Sequence, residues 1–214
     1  MSEAIQIAVA DDPPQTMSYE AFIDWEHRGI AEWVQGEVFE MSVKREHQRV
    51  VEFLDRVLGL FVRIFKLGEV YLAPYVMIVK AGVSAREPDL MFVAAANVSR
   101  ATSKGLEGPA DLVIEVVSEE SVTRDKIDKF EEYEDTGVSE YWIIDSRPGR
   151  QRADFYVLDE RNRYRAVPAD DAGIYRSTAL SGFWIKVDWL FEADPNPLKA
   201  LAEIVGRDRL LASL

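Results

Sequence analysis

The sequence predicts an α/β fold, a mixed central β-sheet flanked by helices, and three patterns predict it. Apolar residues Val50, Leu54, Val57, Leu58, Phe61, Ile64 and Phe65 recur at three- and four-residue steps, the spacing of a long amphipathic helix over residues 46–65. Two apolar runs, Leu112–Val117 and Glu140–Asp145, are long enough for strands covered on both faces, and a helical pattern lies between them. Strand, helix, strand over residues 111–145 favours a parallel pair joined by a right-handed crossover. After Arg147 the pattern changes to short alternating strands and ends in an amphipathic helix. At 214 residues the chain is long enough to bury an ample core.

Residues 1–15 read as a flexible tail ending near Asp12-Pro13-Pro14, and residues 16–214 as one domain. Thr16 or Ser18 can cap a short helix over 19–27, ended by Gly29. Residues 32–41 form two strands around a Gln35-Gly36 turn, with Glu32 and Trp33 on opposite faces. The long helix follows and ends before Gly68; strands are expected over 69–79 and 90–93, and a long connection over 94–110. Ser118 or Ser121 can cap the helix that leads to Gly137, on which Asp125, Lys129 and Tyr133 stand four residues apart and share a face. Strands over 153–158, 164–167 and 184–187 come next, Asn162 marking the turn between the first two, and a helix over 197–214 closes the chain.

Composition excludes several function classes. There is no cysteine, which rules out disulfides, thiol catalysis and zinc–thiolate sites and suits a reducing cytoplasm. No run approaches the roughly 18 apolar residues of a membrane span, and residues 1–15 lack the basic start and apolar core of a signal peptide. His27 and His47 form no zinc motif, and no glycine-rich phosphate loop is present. Net charge is −13, from 25 Lys and Arg against 38 Asp and Glu, so any nucleic-acid contact must be local. Arg147, Arg150, Arg152, Arg161, Arg163 and Arg165 fall in one stretch, diluted by Asp154, Asp159 and Glu160. They read as a solvated hairpin surface, with a phosphate-facing edge as the alternative.

Two acids stand out by position. Asp89, after Pro88, heads the apolar run 90–93, and Glu115 sits inside Leu112–Val117. A carboxylate inside a buried strand is costly without a partner or a metal. An acid at the edge of one strand and another inside the next can flank a hard cation such as Mg²⁺, which takes oxygen ligands and keeps several waters. Lys129, on the following helix, could orient an attacking water or offset phosphate charge. Each residue also has a plainer reading: Asp89 as a strand start, Asp125 and Lys129 as a helix ion pair, Glu32 as a solvated turn neighbour, His47 as a polar residue at a helix start.

The segments Glu32-Trp33-Val34-Gln35-Gly36-Glu37, Pro88-Asp89-Leu90 and 109–118, followed by Asp125 to Lys129, Tyr133 and 137–145, together closely resemble the Uma-two family of endonucleases. That family resembles a branch of the PD-(D/E)xK, restriction-endonuclease-like superfamily, and the resemblance spans roughly residues 16–191. It implies a restriction-endonuclease-like core with extra C-terminal strands and a terminal helix, a metal site at the sheet edge, and hydrolysis of DNA phosphodiesters with Mg²⁺ or Mn²⁺. Carried over, Asp89 and Glu115 are the two motif acids and metal ligands, the Val116 carbonyl a further ligand, and Glu32 the acid from an upstream element. The superfamily's commonest lysine position, two residues after the second acid, holds Val117 here. The lysine has then moved to Lys129, with Lys126 as fallback; Asp125, Tyr133 and His47 are accessory candidates. A homodimer is expected, since two cuts in duplex DNA need two sites. Two alternatives stand beside the nuclease. One is a non-catalytic binding or assembly module of the same fold, which the charge and Val117 favour. The other is a metal-free carboxylate-pair hydrolase such as a glycosidase, in which activity would survive chelation.

Overall fold

The computed structural model describes residues 15–25, 30–41, 44–117 and 124–212, without the side chains of residues 15, 41 and 124–127. Residues 1–14, His27, Gly29, Ser118 and Ser121, and the side chains of Asp125 and Lys126, lie outside the described residues.

The chain begins with β1 (Gln15–Thr16) and α1 (Tyr19–Ile23), whose N-cap Ser18 accepts from the Ala21 N–H. The hairpin β2 (Ile30–Val34) and β3 (Glu37–Met41) turns at Gln35-Gly36 with both residues at positive φ, as expected from the sequence. The long helix α2 (Arg45–Phe65) buries Val50, Leu54, Val57, Leu58 and Phe61 on one stripe and ends at a left-handed Lys66. Residues 69–79 do not form one strand. They divide into β4 (Gly68–Leu72) and β5 (Met77–Lys80), which join different sheets; an alternating pattern carries no mark of the switch. Gly68 belongs to β4: at φ 151° a Cβ there would sit 2.0 Å from the Val93 carbonyl oxygen.

The short strand β6 (Ser84–Arg86) lies outside every apolar run, yet all three residues are buried. After β7 (Leu90–Ala94), the expected long connection contains β8 (Ala101–Thr102) and β9 (Gly105–Glu107). Then come β10 (Leu112–Val117), α3 (Arg124–Thr136) and β11 (Glu140–Asp145), with the strands in the expected places. β12 (Arg152–Leu158), β13 (Tyr164–Ala166), β14 (Ile174–Arg176) and β15 (Trp184–Lys186) follow. The terminal helix is broken at Gly206, φ 87°, into α4 (Pro197–Val205) and α5 (Arg207–Ala212).

Six strands form the central mixed sheet in the order β13-β12-β11-β10-β7-β4. β10 and β11 run parallel, in register from Leu112↔Glu140 to Val117↔Asp145, while β7 pairs with β10 antiparallel from Phe92↔Leu112 to Leu90↔Ile114. Leu112, Ile114 and Val116 pack on the α2 and α4 side; Val113 and Val117 pack on the α3 side with Tyr133 and Tyr141. Coverage of both faces explains why the β10 sequence reads as continuously apolar apart from Glu115. A second sheet, β1-β3-β2-β6-β5-β9-β8, brings β2 and β6 beside α3, and it supplies Glu32, Ser84 and Arg86 to the site.

Candidate active site

The antiparallel pairing of β7 with β10 stops at Leu90↔Ile114, and Asp89 extends it with a side chain: Oδ2 accepts the Val116 N–H at 2.7 Å. The other oxygen of Asp89 lies 3.0 Å from His47 Nε2, presented by the first turn of α2. His47 Nδ1 is buried and has no hydrogen-bond partner. Ile30, Gln48, Val51, Leu72 and Ala73 help to enclose this corner in a pocket of about 230 Å³.

Glu115 points to the α3 side of the sheet. Its Oε1 accepts from Tyr133 at 2.9 Å and from Lys129 Nζ at 3.2 Å, two residues one turn apart on the same helix face. Lys129 Nζ also lies 2.7 Å from Glu32 Oε1 as an ion pair. Arg86 Nη1 donates to Glu32 Oε2 at 2.9 Å, and its Nε donates to Glu132 at 2.8 Å. Ser84 donates to the other Glu132 oxygen. Charges therefore alternate through the row Glu132–Arg86–Glu32–Lys129–Glu115, whose three middle members are buried.

The electrostatics follow from burial and that alternation. Burial opposes ionisation of Glu32, yet Lys129 and Arg86 outweigh it and hold its pKa below the ordinary value. Burial also works against the Lys129 ammonium, but Glu115 and Glu32 keep it charged, with a pKa above the usual lysine value. For Glu115 the balance is reversed. Burial, with repulsion from Asp89 and Glu32, exceeds the help from Lys129, and the pKa is pushed up to about 7.

The structure brings together Asp89, Glu115, Lys129, Glu32, Tyr133 and His47, all singled out in the sequence. It places the Val116 backbone against Asp89 through its N–H. Glu32, expected to be solvated if structural, is 2% exposed. Arg86 and Glu132 escaped sequence reasoning. The available signal was indirect: a glutamate buried between Ala31 and Trp33 demands a countercharge, and Arg86 stands three residues before Asp89. Among the described residues no three His, Cys, Asp or Glu side chains converge as a metal-binding group. The arginine-rich stretch is partly neutralised: Arg147 pairs with Asp145, Arg152 with Asp154, and Arg163 with Glu134, at 2.6, 2.8 and 2.8 Å.

A mixed sheet with an acid at the end of β7, a second inside β10 and helices on both faces defines a restriction-endonuclease-like α/β protein. The chain belongs to the Uma2 family, described as "Putative restriction endonuclease", whose model matches residues 19–188. Its fold is similar to the crystal structure of a "putative nuclease belonging to DUF820" from Anabaena variabilis ATCC 29413, at 16% identity and a TM-score of 0.63. That match covers 82% of this chain and 97% of the other. No curated protein matches the sequence. Among the described residues no helix is long and apolar enough to cross a membrane.

Proposed function

We propose that the chain is a divalent-metal-dependent DNA endonuclease, with Asp89, Glu115 and Lys129 as its working residues. One observation carries the reading: a buried lysine is held beside the in-strand acid Glu115, while the strand-edge acid Asp89 is bonded to the next residue of the same strand.

A divalent cation fits this donor set. Four carboxylates, of Asp89, Glu115, Glu32 and Glu132, stand against two cations, Arg86 and Lys129, an excess of two negative charges once Glu115 is ionised. Both oxygens of Glu32 face cations, so Glu32 serves to position Lys129, leaving Asp89 and Glu115 as metal ligands with the Val116 carbonyl beside them. Two carboxylates suffice for Mg²⁺ or Mn²⁺ when water and substrate phosphate complete the shell. Such an ion neutralises the phosphate and lowers the pKa of a bound water.

The protein's own groups do the rest. Tyr133 and Lys129 fix the Glu115 carboxylate, and the Val116 N–H and His47 fix Asp89. Lys129 stays an ammonium and holds the attacking water or a phosphate oxygen. In-line attack of water forms one P–O bond and breaks that to the 3′ oxygen; the water gives up a proton and the departing oxygen takes one. Lys126 remains the fallback lysine, and Asp125 an accessory on the same helix. A homodimer working in the reducing cytoplasm would supply two sites for a double-strand cut.

The test is cleavage of plasmid and single-stranded DNA with Mg²⁺ or Mn²⁺ at low salt, for wild type, Asp89→Ala and Lys129→Ala. Cleavage lost in both variants and with chelator is expected. A non-catalytic nuclease-fold module is the second reading, favoured by the net charge of −13. No cleavage and no calorimetric Mn²⁺ binding by the wild type would select it.

A further inference from the structure

Residues 147–165 carry six Arg against three Asp and Glu, but Arg147, Arg152 and Arg163 are paired with acids, and a second segment carries the same excess. Residues 44–66 carry six Lys and Arg against three Asp and Glu, a local excess of three positive charges in a chain of net −13. Arg49, Arg56 and Arg63 follow at seven-residue steps on α2, so they form one stripe, about 10.5 Å apart at 1.5 Å rise per residue. Arg56 and Arg63 are exposed, and Arg49 is half-buried with its Nε unpartnered. The same helix supplies His47 to the Asp89 corner.

Arg63 of that stripe lines a groove along the flank of α2. The pocket of about 230 Å³ beside His47 and Asp89 and a groove of about 710 Å³ both include Asp55 in their walls. The larger part is bounded by Arg63 and Lys66 on one side and by Gly68, Glu69 and Val70 of the edge strand β4 on the other. Glu52, Asp55 and Glu69 also stand in these walls; Glu52 pairs with Arg56 at 3.4 Å, and Glu69 accepts from the Tyr71 hydroxyl.

We infer that DNA reaches the candidate site along this α2–β4 groove, with Arg49, Arg56 and Arg63 contacting its phosphates. The proposal rests on the nuclease reading of the site. Arginine suits the role because its planar fork bonds phosphate oxygens in pairs.

The experiment is fluorescence anisotropy of the full chain with labelled duplex and single-stranded DNA, with and without Mg²⁺, over a salt series. Arg56→Gln/Arg63→Gln is compared with Arg150→Gln/Arg165→Gln, all exposed positions at which the fold can be checked by thermal melting. Loss of two phosphate contacts lowers the slope of log K against log salt by about 1.8 and weakens binding about tenfold per contact near 50 mM salt. The α2 pair should show this and the 150/165 pair should bind like the wild type. Wild-type binding that survives in the α2 pair, or is lost in the 150/165 pair instead, overturns the groove while leaving the nuclease reading intact. A wild type that binds neither DNA under any condition overturns both.

Discussion

Replacing Glu115 by glutamine removes a carboxylate that the fold holds at a disadvantage. Burial, set against Lys129 and reinforced by Asp89 and Glu32, moves its pKa from 4.5 to about 7. The side chain is only 12% exposed, so little of this is lost to solvent screening. Below pH 4.5 native and unfolded chains both carry the proton. Between 4.5 and about 7 the unfolded chain releases it while the native chain keeps it, so stability falls as pH rises through that window and levels off above it. The interval from 4.5 to about 7, at about 1.36 kcal/mol per pH unit, amounts to about 3 kcal/mol. Glutamine has no proton to lose and can still accept from Tyr133. Urea unfolding of wild type and Glu115→Gln in chelator, from about pH 4.5 to 8.5, should give a stability difference that shifts by about 3 kcal/mol in the variant's favour. A difference independent of pH, or one moving the other way, refutes the reasoning. Adding Mn²⁺ at high pH should raise the wild type and leave the variant unchanged.

Three further outcomes are expected. Asp89→Asn retains an acceptor for the Val116 N–H but not the charge, so stability should change by no more than about 1 kcal/mol while calorimetric Mn²⁺ binding is lost. Lys129→Met strips the ammonium from Glu32 and Glu115 and should cost about 3–5 kcal/mol in urea unfolding, with a smaller loss near pH 5, where Glu115 can take a proton. Glu140 is fully buried and accepts from the Trp142 indole, the Tyr175 hydroxyl and the Thr178 and Ala179 N–H groups. Glu140→Gln should therefore lower stability by about 3 kcal/mol or more, with DNA cleavage per folded molecule unchanged when the two are assayed in parallel.

The β10-α3-β11 unit was legible because each strand is a long apolar run and the helix between them is bounded by Gly137. Asp89, Glu115 and Lys129 were legible for a related reason: charge at the edge or inside such runs is conspicuous, and their order matched a family pattern. Less local features were hidden. β6 is three residues long and holds Ser84 and Arg86, which no hydrophobic period detects, and Arg86 matters only because it meets Glu32 and Glu132 across long sequence separations. The hairpin β2–β3 was found, yet burial of Glu32 depended on β6 and α3 covering its face. The charge count of residues 147–165 included Asp154, which pairs with Arg152, but not Asp145 just before the stretch, which engages Arg147, nor Glu134 on α3, remote in sequence, which engages Arg163.

A lysine two residues after the strand acid would be placed by the backbone ladder itself, whose register moves only in whole steps. Here Val117 takes that position and packs inward, and Lys129 rides on a helix. Its reach to Glu115 is therefore set by how α3 rests on an aromatic wall: Phe130 meets Tyr156 and Tyr164 edge-on at 4.9 and 5.1 Å, and Tyr133 meets Tyr141 at 5.1 Å. Close packing passes a change of even one methylene on to its neighbours, where a ladder holds its step. Sequence drift at Tyr156 or Tyr164 can thus retune the distance from ammonium to carboxylate while every charged residue of the cluster stays the same.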